Sequence, residues 1–174
     1  VMVKVYEDTL SKDVCQQLID IFEEASDHHE YINDDHKPCF TQLNLNQFDM
    51  NIVRNLIPFV KKVYDTYKED TVSFYLPKFA AMEQFRVKRY VPGGEERFDE
   101  HVDVVDHASA KRALAFLFYL NENDGNTVFT TKPYTVEPKD GRVLVFPPTW
   151  EYPHAGLPPS NTSKYILTTY LHYG

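Results

Sequence analysis

"RALAFLFYLNENDGNTVFTT", residues 112–131, sets two apolar runs on either side of the turn residues "ENDGN". Alternate residues of an extended strand share a face, so Ala113, Ala115, Leu117 and Tyr119 point the same way. The same style holds across the second half of the chain. From about residue 79 the apolar period is two. "EQFRVKRYV" (83–91), "YTVE" (134–137), "RVLVF" (142–146) and "KYILTTYLHY" (164–173) are short, β-branched or aromatic segments. Turn chemistry separates them: "PGGEE" (92–96), "PKDG" (138–141) and "PPSNTS" (158–163). Many short strands at near-even spacing predict a sandwich or barrel.

The first part of the chain is helical in style. Ser11 stands at an N-cap position with Asp13 in the first turn, and Val14, Leu18, Ile19 and Phe22 follow at helical spacing. A second helix is expected over about 49–68, with Ile52, Val53, Leu56, Val60, Val63, Tyr64 and Tyr67 on its apolar face. Pro58 should kink or split it. "ASDHHEYINDDHKP" (25–38) is polar and breaks the pattern, which predicts a loop. The expected organisation is one domain over 1–174, a helical part at about 10–70 packing on a β core at about 79–173.

Composition narrows the function. Of 174 residues, 43% are hydrophobic and 14% aromatic, the profile of a globular chain. A net charge of −8 argues against a phosphate-backbone binder, so no nucleic-acid partner is expected. Cys15 and Cys39 do not make a disulfide framework. No apolar run approaches the roughly 20 residues of a membrane span, and no signal-peptide pattern is visible. The expectation is a cytoplasmic protein with no membrane partner. Val1 ahead of Met2 reads as an extra residue.

"EHVDVVDH" (100–107) holds two His, two Asp and a Glu, any of which could ligate a metal. A lone His-x-Asp is weak evidence: seven His and fourteen Asp in 174 residues produce roughly half a match by chance. On a strand His101 and Asp103 share a face, whereas Asp106 and His107 lie past the strand pattern. A third ligand must come from elsewhere. His28, His29 and His36 sit in the polar loop, and His172 ends the last strand. His154 follows the buried-looking run "RVLVFPPTWEYP" (142–153) at a proline-rich corner suited to a fixed ligand. Two His and one carboxylate with positions left open form the facial triad of non-haem Fe(II) oxygenases. The plainer alternative is a barrel-like binding domain with a surface His-x-Asp.

"HVD" (101–103), "HAGLPPSNTSK" (154–164) and "YILTTYLHY" (165–173) resemble the prolyl 4-hydroxylase branch of the 2-oxoglutarate- and Fe(II)-dependent dioxygenases. That family carries His-x-Asp, a distal His, and a Lys or Arg about ten residues later, the places of His154 and Lys164. Ala155, Gly156 and Pro158 also match, while Pro159 and Thr162 stand where Val and Gly are usual. "VKVYEDTLSKDVCQQLIDIFE" (3–23), "RYVPGGEERFDEHVD" (89–103) and "FYLNENDGNTVF" (118–129) extend the likeness over most of the chain. Asp124 departs from the usual Gly in the last of these.

The resemblance implies a mostly β fold with bracing helices, a double-stranded β-helix or jelly roll. It implies an enzyme that hydroxylates a C–H bond, foremost in a peptidyl proline, with succinate and CO2 as co-products. Fe(II) would sit on His101, Asp103 and His154; 2-oxoglutarate and O2 would be co-substrates and ascorbate a reductant. Lys164 would hold the far carboxylate of 2-oxoglutarate, with Tyr90, Tyr119 and Thr127 beside it. Lys164 opens a strand whose alternate residues are Ile166, Thr168 and Tyr170, so it can project inward. Arg86 and Lys88 alternate with Tyr90 and are candidate substrate-facing cations. The loops 26–48 and 91–100 are expected to edge the site. The rivals are a hydroxylase of a free amino acid or other small molecule, and a non-catalytic or Zn-binding jelly roll.

Overall fold

Alternate residues of the central strands serve two different cores, and this organises the whole molecule. In a computed structural model that describes residues 2–174, Leu114, Phe116 and Phe118 pack with the helices, whereas Ala115 and Tyr119 pack with the opposite sheet. Val1 lies outside the described residues.

The chain begins with β1 (Lys4–Tyr6), α1 (Lys12–Glu24), β2 (Glu30–Asn33) and β3 (Cys39–Asn44). Next come α2 (Leu45–Phe48), α3 (Met50–Thr71), β4 (Arg86–Tyr90) and β5 (Phe98–His101). The rest is β: β6 (Arg112–Tyr119), β7 (Thr127–Phe129), β8 (Tyr134–Val136), β9 (Val143–Phe146), β10 (His154–Gly156) and β11 (Lys164–His172). They form a seven-stranded sheet, β1-β9-β6-β11-β4-β3-β2, and a four-stranded sheet, β5-β10-β7-β8. All pairings are antiparallel. This is the expected mostly β jelly roll, with helices on the outer face of the larger sheet.

Ser11 caps α1 by accepting a hydrogen bond from the Val14 amide at 3.1 Å. Cys15, Leu18 and Phe22 of α1 and Val53, Leu56, Val60, Tyr64 and Tyr67 of α3 are buried against the sheet. Both cysteines are free and buried. Among the described residues, no helix is long and apolar enough to cross a membrane.

One local expectation fails, and one alternative of another is excluded. The polar stretch 25–38 is not all loop: after a 3₁₀ turn at Ser26–His28 it holds β2, which hairpins with β3 onto β4. β2 is an edge strand with three of four residues exposed, so it carries no apolar alternation to read. Nor does Pro58 split α3, which runs unbroken through it. Pro58 and Arg54 are both exposed, so water can satisfy the Arg54 carbonyl that the missing N–H would have bonded.

One turn ties the N-terminal segment to the β core. Gly141 adopts φ +77°, and its carbonyl accepts from the Thr9 amide at 2.8 Å and the Thr9 hydroxyl at 2.6 Å. A Cβ there would collide with the Leu10 carbonyl. Gly141→Ala should therefore cost about 2 kcal/mol or more, lowering the melting temperature by about 4–8 °C in scanning calorimetry. An unchanged melting temperature would show that the turn yields.

Candidate active site

The smaller sheet places the three proposed ligands. β5 and β10 are antiparallel neighbours, with His101 opposite His154. Their rings lie 4.2 Å apart between centroids. Asp103 comes two residues after β5 has ended, so it shares the site by the turn of the chain rather than by strand period. One ligand atom from each of His101, Asp103 and His154 lies within 4.8 Å of the others. Asp106 and His107 are exposed outside this group, and Asp106 accepts from the Ser109 amide at 2.9 Å.

Hydrogen bonding fixes what these atoms offer. His101 Nδ1 donates to the Asp99 carbonyl at 2.8 Å, and His154 Nδ1 donates to the Tyr152 carbonyl at 3.0 Å. In each neutral ring Nε2 is then a bare lone pair. Both Nε2 atoms face Asp103 Oδ1, at 3.2 Å and 3.6 Å. Burial would raise the Asp103 carboxyl, but the protonated forms of His101 and His154 hold it down at about 2, so it stays ionised when the rings lose their protons. Burial lowers His154 despite the pull of Asp103, which favours the neutral ring. Three lone pairs converging in an apolar surround call for a cation between them, and two imidazoles with a carboxylate suit Fe(II). Phe98 stacks on His101 at 3.3 Å, and Phe146 lies 4.8 Å from the His154 ring.

Residues that sequence reasoning missed hold Asp103 from behind. Arg112 Nη1 donates to the Asp103 backbone carbonyl at 2.8 Å. The same guanidinium grips Glu83 through Nε at 2.8 Å and Nη2 at 2.9 Å, and lies 4.2 Å from the Tyr170 ring centroid. His172 Nε2 lies 3.0 Å from Glu83 Oε1, outside the group formed by His101, Asp103 and His154. Charges at the ends of β4 and β6 look solvated in the sequence; only the fold shows them paired.

A pocket runs from the triad into the barrel, lined on β11 by Lys164, Ile166, Thr168 and Tyr170. Lys164 is buried at its closed end, where Nζ donates to the carbonyls of Gly125 at 3.1 Å and Leu157 at 3.0 Å. It lies 4.4 Å from the Tyr90 ring centroid. Burial pushes its ammonium down to about 7. Tyr119 Oη and Thr127 Oγ1 are 2.6 Å apart and also line the pocket. With two carbonyls as its hydrogen-bond partners, Lys164 has no counter-charge among the described residues, which fits the place of an anionic ligand. A Cβ at Gly125 would sit 3.0 Å from Lys164 Cδ, so glycine makes room for the stem. Asp124, the departure from the family pattern, accepts from the Ser160 amide at 2.8 Å and from its hydroxyl. It thereby joins the two loops whose carbonyls hold Lys164.

The two remaining candidates separate. Lys88 lines this pocket, 4.9 Å from the Phe40 ring centroid, and burial lowers its ammonium to about 8 against the pull of Asp103. Arg86 lines only an outer cleft of about 940 Å³ that opens from the triad, and it lies 3.7 Å from Glu83. That cleft is edged by Ile32, Phe40 and Gln42 of the β2–β3 hairpin.

Comparison with known proteins agrees with this geometry. Residues 85–172 match the family described as the 2OG-Fe(II) oxygenase superfamily. No protein of curated function matches the sequence. Among solved structures, the viral collagen prolyl hydroxylase of Paramecium bursaria Chlorella virus-1, in its 2OG complex, is 19% identical with a TM-score of 0.72, over 100% of this chain and 97% of that one. A Pseudomonas putida prolyl-4-hydroxylase is 17% identical with a TM-score of 0.76, over 99% and 92%. A Trichoplax adhaerens prolyl hydroxylase, in complex with a hypoxia inducible factor oxygen degradation domain peptide fragment, is 15% identical with a TM-score of 0.75, over 98% and 83%. At these identities the structural likeness is one of fold.

The triad makes a direct prediction. Anaerobic titration should show one Fe(II) per chain. Alanine at His101, Asp103 or His154 should weaken binding by more than the roughly 10- to 100-fold typical of losing a supporting hydrogen bond. His107→Ala and Asp106→Ala should leave it intact. Comparable loss in His107→Ala would reassign the ligands.

Proposed function

This chain belongs to the 2OG-Fe(II) oxygenase superfamily, and we propose that it hydroxylates a C–H bond, foremost in a peptidyl proline, with succinate and CO2 as co-products. It is a dioxygenase that uses Fe(II) and 2-oxoglutarate. The observation that carries the finer reading is one pocket with the triad at its mouth and a buried, unneutralised Lys164 at its closed end. Fold neighbours described as prolyl hydroxylases support the proline assignment. The outer cleft supports a peptide, since about 940 Å³ is ample for several residues.

The roles follow from chemistry. Bound Fe(II) supplies the redox chemistry that couples oxidative decarboxylation of 2-oxoglutarate to hydroxylation of the substrate. One O2 delivers one oxygen atom to succinate and one to the product. His101, Asp103 and His154 would hold the metal through one lone pair each. Lys164 pairs with the far carboxylate of 2-oxoglutarate, and Tyr119 and Thr127 orient it by hydrogen bonds. Tyr90 covers Lys164 and, with Phe98 and Phe146, keeps the pocket dry, which strengthens each charge interaction. Arg112 holds Asp103 in position through its backbone carbonyl. Ascorbate as reductant belongs to the same proposal.

Turnover of 2-oxoglutarate against proline-containing peptides and free amino acids, with product mass spectrometry, tests the proposal. Hydroxyproline formed one-for-one with succinate is expected; turnover with no proline-containing compound would overturn the proline assignment.

Lys164 adds a protonation signature. Its ammonium is lowered from an ordinary 10.5 to about 7, so the unfolded chain binds the extra proton between those values. The unliganded protein should therefore gain stability as pH rises from about 7 toward 10.5. A bound carboxylate reverses this by restoring the charge. Calorimetric titration of 2-oxoglutarate at pH 8, in buffers of different ionisation enthalpy, should show uptake of up to about one proton. Lys164→Met should abolish the uptake and raise the 2-oxoglutarate requirement about 100-fold or more. Unchanged affinity in that variant would move the anchor elsewhere.

A further inference from the structure

The outer cleft is basic although the chain is acidic. Against a net charge of −8, the cleft presents Lys37, Arg86, Lys88, Lys111 and Arg112. Its carboxylates are already committed: Glu83 to Arg112 and His172, Asp103 to the candidate metal group with the two imidazoles, and Asp106 to Ser109. Of the five cations only Lys88 also lines the inner pocket. Its ammonium makes no ion pair and no hydrogen bond among the described residues; Phe40 lies beside it at 4.9 Å.

Strand register places it. Tyr90 is opposite Lys164 and Lys88 is opposite Ile166. Lys88 therefore stands two residues along β4, roughly 7 Å from the Lys164 level, on the side where β11 continues through Thr168 to Tyr170. The two lysines mark opposite ends of one channel, one closed and one open to the cleft. Arg86, a further step out, is drawn to Glu83.

We infer that Lys88 anchors a carboxylate of the molecule being hydroxylated, holding it at the passage between cleft and metal. This rests on the hydroxylase reading above. Lys164 takes the co-substrate's far carboxylate; Lys88 takes the substrate's. The aromatic wall and partial burial make such a pair stronger than one on an open surface. The carboxylate has two possible sources: the α-carboxylate of a free amino acid or chain end, and an acidic side chain next to the target residue in a peptide.

Four probes distinguish them, measured by equilibrium binding without oxygen to the protein carrying Fe(II) and 2-oxoglutarate. One pair is the capped tripeptide Glu-Pro-Gly and its Gln-Pro-Gly counterpart; the other is free L-proline and L-prolinamide. In at least one pair the carboxylate member should bind about 10- to 100-fold more tightly, and that pair identifies the source. Lys88→Met keeps the aliphatic stem beside Phe40 and should erase the difference. Lys111→Met, at the exposed rim, should keep it. Equal or undetectable binding within both pairs overturns the inference, as does a preference that survives Lys88→Met. Turnover of the same probes separates the two levels. Product without carboxylate preference retains the hydroxylase and removes the anchor; carboxylate preference without product does the reverse.

Discussion

When both rings are neutral, two imidazole lone pairs and a carboxylate oxygen face one another across 3.2 Å and 3.6 Å. That repulsion is the constraint on which the site depends. It persists because each imidazole is locked by its other nitrogen to a backbone carbonyl, and because Arg112 holds the Asp103 backbone. The rings cannot turn away without leaving a buried N–H unpaired. A divalent cation removes the conflict, so the smaller sheet amounts to a rigid frame for one metal ion.

The larger sheet answers with the opposite charge. β11 carries Lys164 into the barrel, and the apolar cover that insulates it also lowers its affinity for a proton. An ammonium held by two carbonyls and an aromatic ring is poorly compensated until a carboxylate arrives. Metal at one end and cation at the other define the length and polarity of what fits between. α1 and α3 support this from the far side, where Phe116, Phe118 and Leu167 of the sheet are buried in the helical core.

The central strands were legible in the sequence because β6, β9 and β11 are long or uniformly apolar enough to show their period. β5, β10 and β2 were not. "FDEH" and "HAG" are too short and too polar for alternation to register, though β5 and β10 position two of the proposed ligands. Strand period puts His101 and Asp103 on one face, whereas Asp103 lies beyond the strand and reaches the site through a turn held by Arg112. Lys164 could be singled out only through its spacing from His154. The Glu83–Arg112–His172 network was invisible because its members are 29 and 89 residues apart in pairs. Lys88 stood out in the pattern, but only the fold separates it from Arg86.

The lone-pair conflict can be tested by scanning calorimetry at pH 8 without oxygen, comparing the native chain with Asp103→Asn, each with and without Fe(II). An asparagine amide can donate to Nε2 where the carboxylate cannot. The account predicts that metal-free Asp103→Asn melts at or above the metal-free native chain. It also predicts that Fe(II) raises the melting temperature of the native chain, by selective binding to the folded state, and not that of the variant. A metal-free variant clearly less stable than the native chain, or a native chain indifferent to Fe(II), would contradict it.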